Sequence, residues 1–128
     1  MSDNNQLAAP IGMAPIERSE DFIDGYANNV RFEPTVYDLK IVFGETDLGS
    51  GKEVTVQHMS VTLPWALVKL ALFFLEVNVT VHELENGKIT IPPNQIPPPP
   101  PLPQGDNPTA VKAHEIIGKI REEFLTRL

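Results

Sequence analysis

The chain contains no cysteine among its 128 residues. Disulfides, thiolate metal sites and cysteine nucleophiles are therefore excluded, and a reducing cytoplasm is the expected compartment. Basic residues are also scarce. Ten Lys and Arg stand against seventeen Asp and Glu, for a net charge of -7 and a pI near 4.8. Phosphate binding needs clustered cations, and here they are scattered, so nucleic acid is not an expected partner. The opening MSDNNQLAAPIGMAPIERSED lacks a basic region followed by a long apolar run, and does not read as a secretory signal.

Catalytic constellations are missing as well. The loop Gly49-Ser50-Gly51-Lys52 resembles a phosphate loop only in part. That motif needs Gly five residues before Gly51 and Ser or Thr after Lys52, where the chain has Thr46 and Glu53. A hairpin turn is the better reading. His58, His82 and His114 fall on three different segments, none with a partner at metal-ligand spacing. With no paired carboxylates on a defined scaffold, neither acid/base nor nucleophilic chemistry has a visible site. The expectation is a protein that is not an enzyme and takes no metal or other cofactor.

What is present is a dense apolar stretch from Leu63 to Glu83, LPWALVKLALFFLEVNVTVHE, holding the single tryptophan. Its polar exceptions include Lys69, Glu76, Thr80 and Glu83, spaced seven, four and three apart on one narrow stripe. A helix covering a small sheet needs an apolar arc of roughly 100° or a little more. This one is apolar over most of its circumference, so a second surface must cover the remainder. About 20 such residues could span a bilayer. Lys69, Glu76 and Asn78 inside the stretch speak against that, and no membrane span is expected. Pro64 suits a first helical turn with Thr62 as cap, and Asn86-Gly87 closes the helix.

Before this stretch the period is two. A first strand runs over Val30-Arg31-Phe32-Glu33 and ends at Pro34. Thr35 to Phe43 alternates Tyr37, Leu39, Ile41 and Phe43 against Asp38, Lys40 and Val42. Val54 to Val61 alternates again after the Gly-rich turn, which makes a hairpin. After the stretch, IPPNQIPPPPPLP must be polyproline II, because successive prolines form neither helix nor ladder. It reads as a stiff spacer, or alternatively as a ligand for a proline-binding module. Asp106-Asn107-Pro108 then starts a last helix whose Ala113, Ile117, Ile120 and Phe124 are spaced four, three and four, a coiled-coil seam about two heptads long.

The expected fold is α+β: a three-stranded antiparallel β-meander packed on one long apolar α-helix, then a polyproline spacer and a C-terminal amphipathic helix. Residues 1–24 form a flexible arm, 25–91 the sheet-helix domain, 92–107 the spacer and 108–128 the last helix. A compact part of roughly 65 residues is marginal alone, and oligomerisation is a common remedy. The residues expected to meet another protein surface are Trp65, Leu72, Phe73 and Val77 on the central helix, with Ile117, Ile120 and Phe124 on the last.

The order Tyr26-Ala27-Asn28-Asn29-Val30, then Tyr37-Asp38-Leu39 leading to Phe43-Gly44, resembles the opening of family 3467 of the bacterial domains of unknown function. Val61-Thr62-Leu63-Pro64, the helix, and Asn86-Gly87-Lys88-Ile89 are similar to its second half, so the likeness covers about residues 25–91. The chain departs from that family in a more apolar helix and in its proline tract and last helix. The resemblance implies the meander-plus-helix layout and carries no catalytic residues. That layout is loosely similar to the SecB type of export chaperone, an analogy of fold only. Two functions follow as expectations. One is a non-enzymatic homo-oligomer whose apolar central helix, strand edges and tethered C-terminal helix make protein–protein contacts. The other is a SecB-like holdase that uses the same apolar surface for unfolded or partner polypeptides.

Overall fold

The computed structural model describes residues 14–47 and 54–128. The expected hairpin turn at Gly49–Lys52 and the first thirteen residues of the expected arm lie outside them. The chain divides between Trp65 and Ala66 into two compact units.

The first unit is the expected meander. Strands β1 (Asn29–Pro34), β2 (Asp38–Thr46) and β3 (Thr55–Pro64) form one antiparallel sheet in the order β1-β2-β3. Register places Val30 opposite Phe43, Phe32 opposite Ile41 and Pro34 opposite Leu39. Across the other ladder Leu39 faces Leu63, Ile41 faces Val61 and Phe43 faces Met59. Because side chains alternate along a strand, these nine residues share one face of the sheet and form an apolar patch on it, bordered by Glu45 farther along β2. The opposite face carries Arg31, Glu33, Lys40, Ser60 and Thr62, with Val42 among them. Leu39 and Val42 are the only buried hydrophobic residues among those described. The central strand is thus shielded on both faces by its neighbours. The alternation alone assigns Val42 to the solvent side.

Two local devices fix the turns. Thr35 Oγ1 accepts from the backbone N–H of Tyr37 and of Asp38, and donates to Asp38 Oδ1 at 2.8 Å. This holds the β1–β2 turn, so β2 starts at Asp38 and Tyr37 lies exposed in the turn. Asn28 Oδ1 accepts from Thr46 N at 2.8 Å, while its Nδ2 donates to Thr46 O at 3.2 Å. A side-chain amide therefore extends the ladder one step before the start of β1. The register of β2 on β3 shifts between Phe43 and Gly44, a bulge that lets β2 continue to Thr46.

Residues 18–22 make local contacts with one another. Phe22 N donates to Ser19 O at 3.0 Å, and the Arg18 guanidinium sits 4.5 Å above the Phe22 ring.

Helix α1 runs over Trp65–Asn86. Pro64 is therefore the last strand residue, paired opposite Asp38, and not part of a first helical turn capped by Thr62. β3 lies at the sheet edge, where the missing N–H of a proline breaks no ladder bond. The helix closes as its sequence predicts. Gly87 takes φ +88°, its N–H donates to Glu83 O at 3.0 Å, and Glu83 Oε2 accepts from Ile89 N at 2.9 Å.

The second unit ends in helix α2, Pro108–Thr126. Asn107 caps it, its side chain accepting from Thr109 N at 3.0 Å, with Pro108 in the first turn. After a single 3-10 turn at Pro93–Gln95 the tract is extended, with Ile96 at φ -66°, ψ 128°. Gly105 (φ +80°) then reverses the chain. The tract does not lead α2 away as a free spacer; it lies back along the helix. Arg121 Nε donates to Pro97 O at 2.9 Å, and His114 Nδ1 meets Pro101 O at 3.0 Å. A carbonyl only accepts, so Nδ1 is the protonated nitrogen of that ring. Polyproline II has no internal hydrogen bonds, which leaves its carbonyls open to side-chain donors. Ala110, His114, Gly118, Arg121 and Leu125 form the half-buried stripe of α2. A Cβ at Gly118 would meet no atom within 4 Å. Gly118→Ala is therefore expected to stabilise α2 by about 0.8–1 kcal/mol, read as a higher urea midpoint by circular dichroism at 222 nm.

Candidate functional site

The expected interface residues of α1 lie on a helix with no buried residue. Trp65 is an exception in kind. Its Nε1 donates to Thr35 O at 3.0 Å, so the indole pins the β1–β2 turn and is 42% exposed. Its role is at least partly within its own unit. Leu72, Phe73 and Val77 have no such engagement and are exposed, Phe73 at 59%. Phe73 stands edge-on to Phe74, ring centroids 5.2 Å apart.

Phe73 falls inside the polar stripe, four residues after Lys69 and three before Glu76. The most hydrated line of the helix is thus interrupted by a phenyl ring. Asn78, on the far side of the helix, turns its Nδ2 back onto Phe74 O at 2.7 Å. That bond satisfies the amide within the helix and removes a polar demand from an otherwise apolar side. Glu76 pairs with Arg127 at 3.4 Å; both side chains are well exposed, so the pair contributes little. By length and composition alone α1 is long and apolar enough to cross a membrane.

On α2, the seam and the tract-facing stripe lie side by side, Ala110 of the stripe being one heptad before Ile117 of the seam. Ala113, Ile117 and Ile120 are exposed, Ile120 at 61%, while Phe124 is half-buried. Ile116 extends the same apolar surface. Sequence periodicity finds this seam. It does not find the other stripe, since His, Gly and Arg at helical spacing read as an ordinary hydrated face.

The sheet contributes a third surface that the sequence reading did not single out. Val30, Phe32, Met59 and Val61 on its apolar face are all exposed in the chain. Opposite pairing makes the patch continuous. The signal was available in the alternation of all three strands, but it names a face only once the register is known.

The histidines take separate local roles. His58 Nε2 lies 3.8 Å from Glu45 Oε1, His82 contacts Asn86, and His114 holds the proline tract. Among the described residues, no three His, Cys, Asp or Glu side chains group so as to hold a metal ion. No family model, curated protein or solved structure matches the chain.

Proposed function

We propose that the protein is a non-enzymatic assembly protein that forms a homo-oligomer through its apolar surfaces. One observation carries this reading. The sheet presents a continuous apolar face with exposed Val30, Phe32, Met59 and Val61, and α1 buries no residue although it is apolar around most of its circumference. Exposed apolar patches beyond a few hundred Å² mark interaction surfaces, and a helix hydrophobic all round belongs inside something larger. Leu72, Phe73 and Val77 of α1 and Ile117, Ile120 and Phe124 of α2 would carry the contacts, with Trp65 doubling as a local brace. Likeness of residues 25–91 to family 3467 is consistent with a small scaffold of this kind and adds no activity.

The test is the mass of the full chain in solution by light scattering on a sizing column. A multiple of 14.2 kDa that survives dilution is expected. A monomer in aqueous buffer would sink the reading, and a chain recovered only in detergent would turn it toward a membrane-spanning α1. The same open sheet face also favours a second reading, a holdase for unfolded polypeptides. That reading requires the assembled protein to suppress aggregation of an unfolded client, which a closed oligomer would not do.

A further inference from the structure

We propose that α2 pairs antiparallel with α2 of a second copy about a two-fold axis between Ile117 and Ile120. This rests on the assembly reading above and names one of its contacts. The face of α2 that meets the proline tract is Ala110, His114, Gly118, Arg121 and Leu125, fixed by the bonds to Pro97 and Pro101. That arrangement leaves Ala113, Ile117 and Ile120 of the neighbouring stripe exposed, with Phe124 half-buried at its end. Its spacing of four, three and four reads the same in both directions. A two-fold axis at its midpoint therefore lays the seam on itself. Ala113 meets the partner's Phe124, and Ile117 meets the partner's Ile120.

The sizes fit as well as the spacing. In the antiparallel pair the smallest seam residue stands opposite the largest, and two isoleucines stand opposite two others, so each layer has similar volume. An in-register parallel pair would set Phe124 against the partner's Phe124 and Ala113 against the partner's Ala113. One layer would be overfull and another would hold a void, and both conditions destabilise. Self-complementarity of one patch is the mark of a two-fold contact. Glu115, Lys119 and Glu122 lie on the far side of α2, and Glu123, which flanks the seam, falls near the partner's Ile116, so no acidic pair crosses it. Tethering by the tract keeps α2 helical before the partner arrives, which lowers the ordering cost of pairing. Two heptads alone are short for a coiled coil. The pairing consequently needs the copies held together elsewhere, where a tether raises the effective concentration to about the millimolar range.

The chain has no cysteine, so introduced thiols report without background. The full chain carrying Ile117→Cys is co-expressed with a differently tagged full chain carrying Ile120→Cys, and mild oxidation is followed on non-reducing gels. Mixed dimers are expected to form at least five-fold faster than either homodimer, as the disulfide geometry demands close Cβ atoms. Ala113→Cys with Phe124→Cys provides a second mixed pair, with circular dichroism confirming helicity. Homodimers of Ile117→Cys forming as fast as the mixed species would overturn the antiparallel arrangement. An oligomeric mass with no cross-link from either pair would overturn the α2 contact and leave the assembly reading standing. A monomeric mass would overturn both.

Discussion

Gly44→Ala is expected to destabilise the sheet unit by about 1–3 kcal/mol, the range for forcing extra atoms into a packed site. Gly44 is buried in β2 at the point where the register shifts. A Cβ there would stand 2.7 Å from Val56 O, 3.2 Å from the Gln57 Cα and 3.2 Å from Thr55 Cγ2. Two of those three atoms belong to the backbone of β3, so no rotamer change relieves the clash. Either the strands separate locally or the bulge is lost. Losing the bulge would move Val56 and Thr55 to the wrong faces of the sheet, and would break the 2.7 Å bond between the Thr46 and Thr55 hydroxyls. Trp65 is the single tryptophan and is bonded to Thr35 in this unit, so its fluorescence during urea unfolding is the direct readout. A change below about 0.5 kcal/mol, the size of an ordinary surface substitution, would show that the strands there are not so close.

The second large effect concerns assembly. Replacing Leu72 and Phe73 together by aspartate is expected to weaken self-association at least a hundredfold. Burying each of these side chains is worth about 1.5–3 kcal/mol, and every 1.4 kcal/mol is tenfold in affinity. A carboxylate in their place would also have to be desolvated without a partner. Both residues are exposed in the single chain, at 66% and 59%, so the folded state should tolerate the change. The expected result is an unchanged circular dichroism spectrum with a smaller mass by light scattering. An unchanged mass would remove α1 from the interface and direct attention to the sheet face and the α2 seam.

The elements whose signal is local were legible in the sequence. β2 announces itself by Leu39, Ile41 and Phe43, and α2 by Asn107-Pro108 followed by its seam. Gly87 marks the end of α1 through a conformation that other residues rarely adopt. The remaining features depend on partners distant in the chain. Gly44 looks like a strand terminator beside Phe43, yet its reason is the backbone of β3. Pro64 suits a helix start by residue type and is instead the end of an edge strand. His114 and Arg121 break no periodicity, so nothing local shows that they reach thirteen and twenty-four residues back to proline carbonyls. The candidate α1 and α2 residues are marked in the sequence only by being apolar at surplus positions. Trp65 shows the limit of that rule, because an indole N–H can be committed to a turn in its own unit.

Docking of the proline tract on α2 has a bearing on any protein that recognises extended proline segments. Such modules read the tract from one side and hydrogen-bond to its carbonyls. Here the carbonyls of Pro97 and Pro101 are occupied by the chain's own donors. A competitor must displace Arg121 and His114, or else bind the outward edge bearing Leu102, which is 82% exposed. If only one molecule in a hundred has the tract released, apparent affinity falls a hundredfold below that of the isolated peptide, since binding is scaled by the competent fraction. A tract held that firmly on α2 would act as a threshold, screening out weak, promiscuous proline readers and opening only to a tight or locally concentrated one.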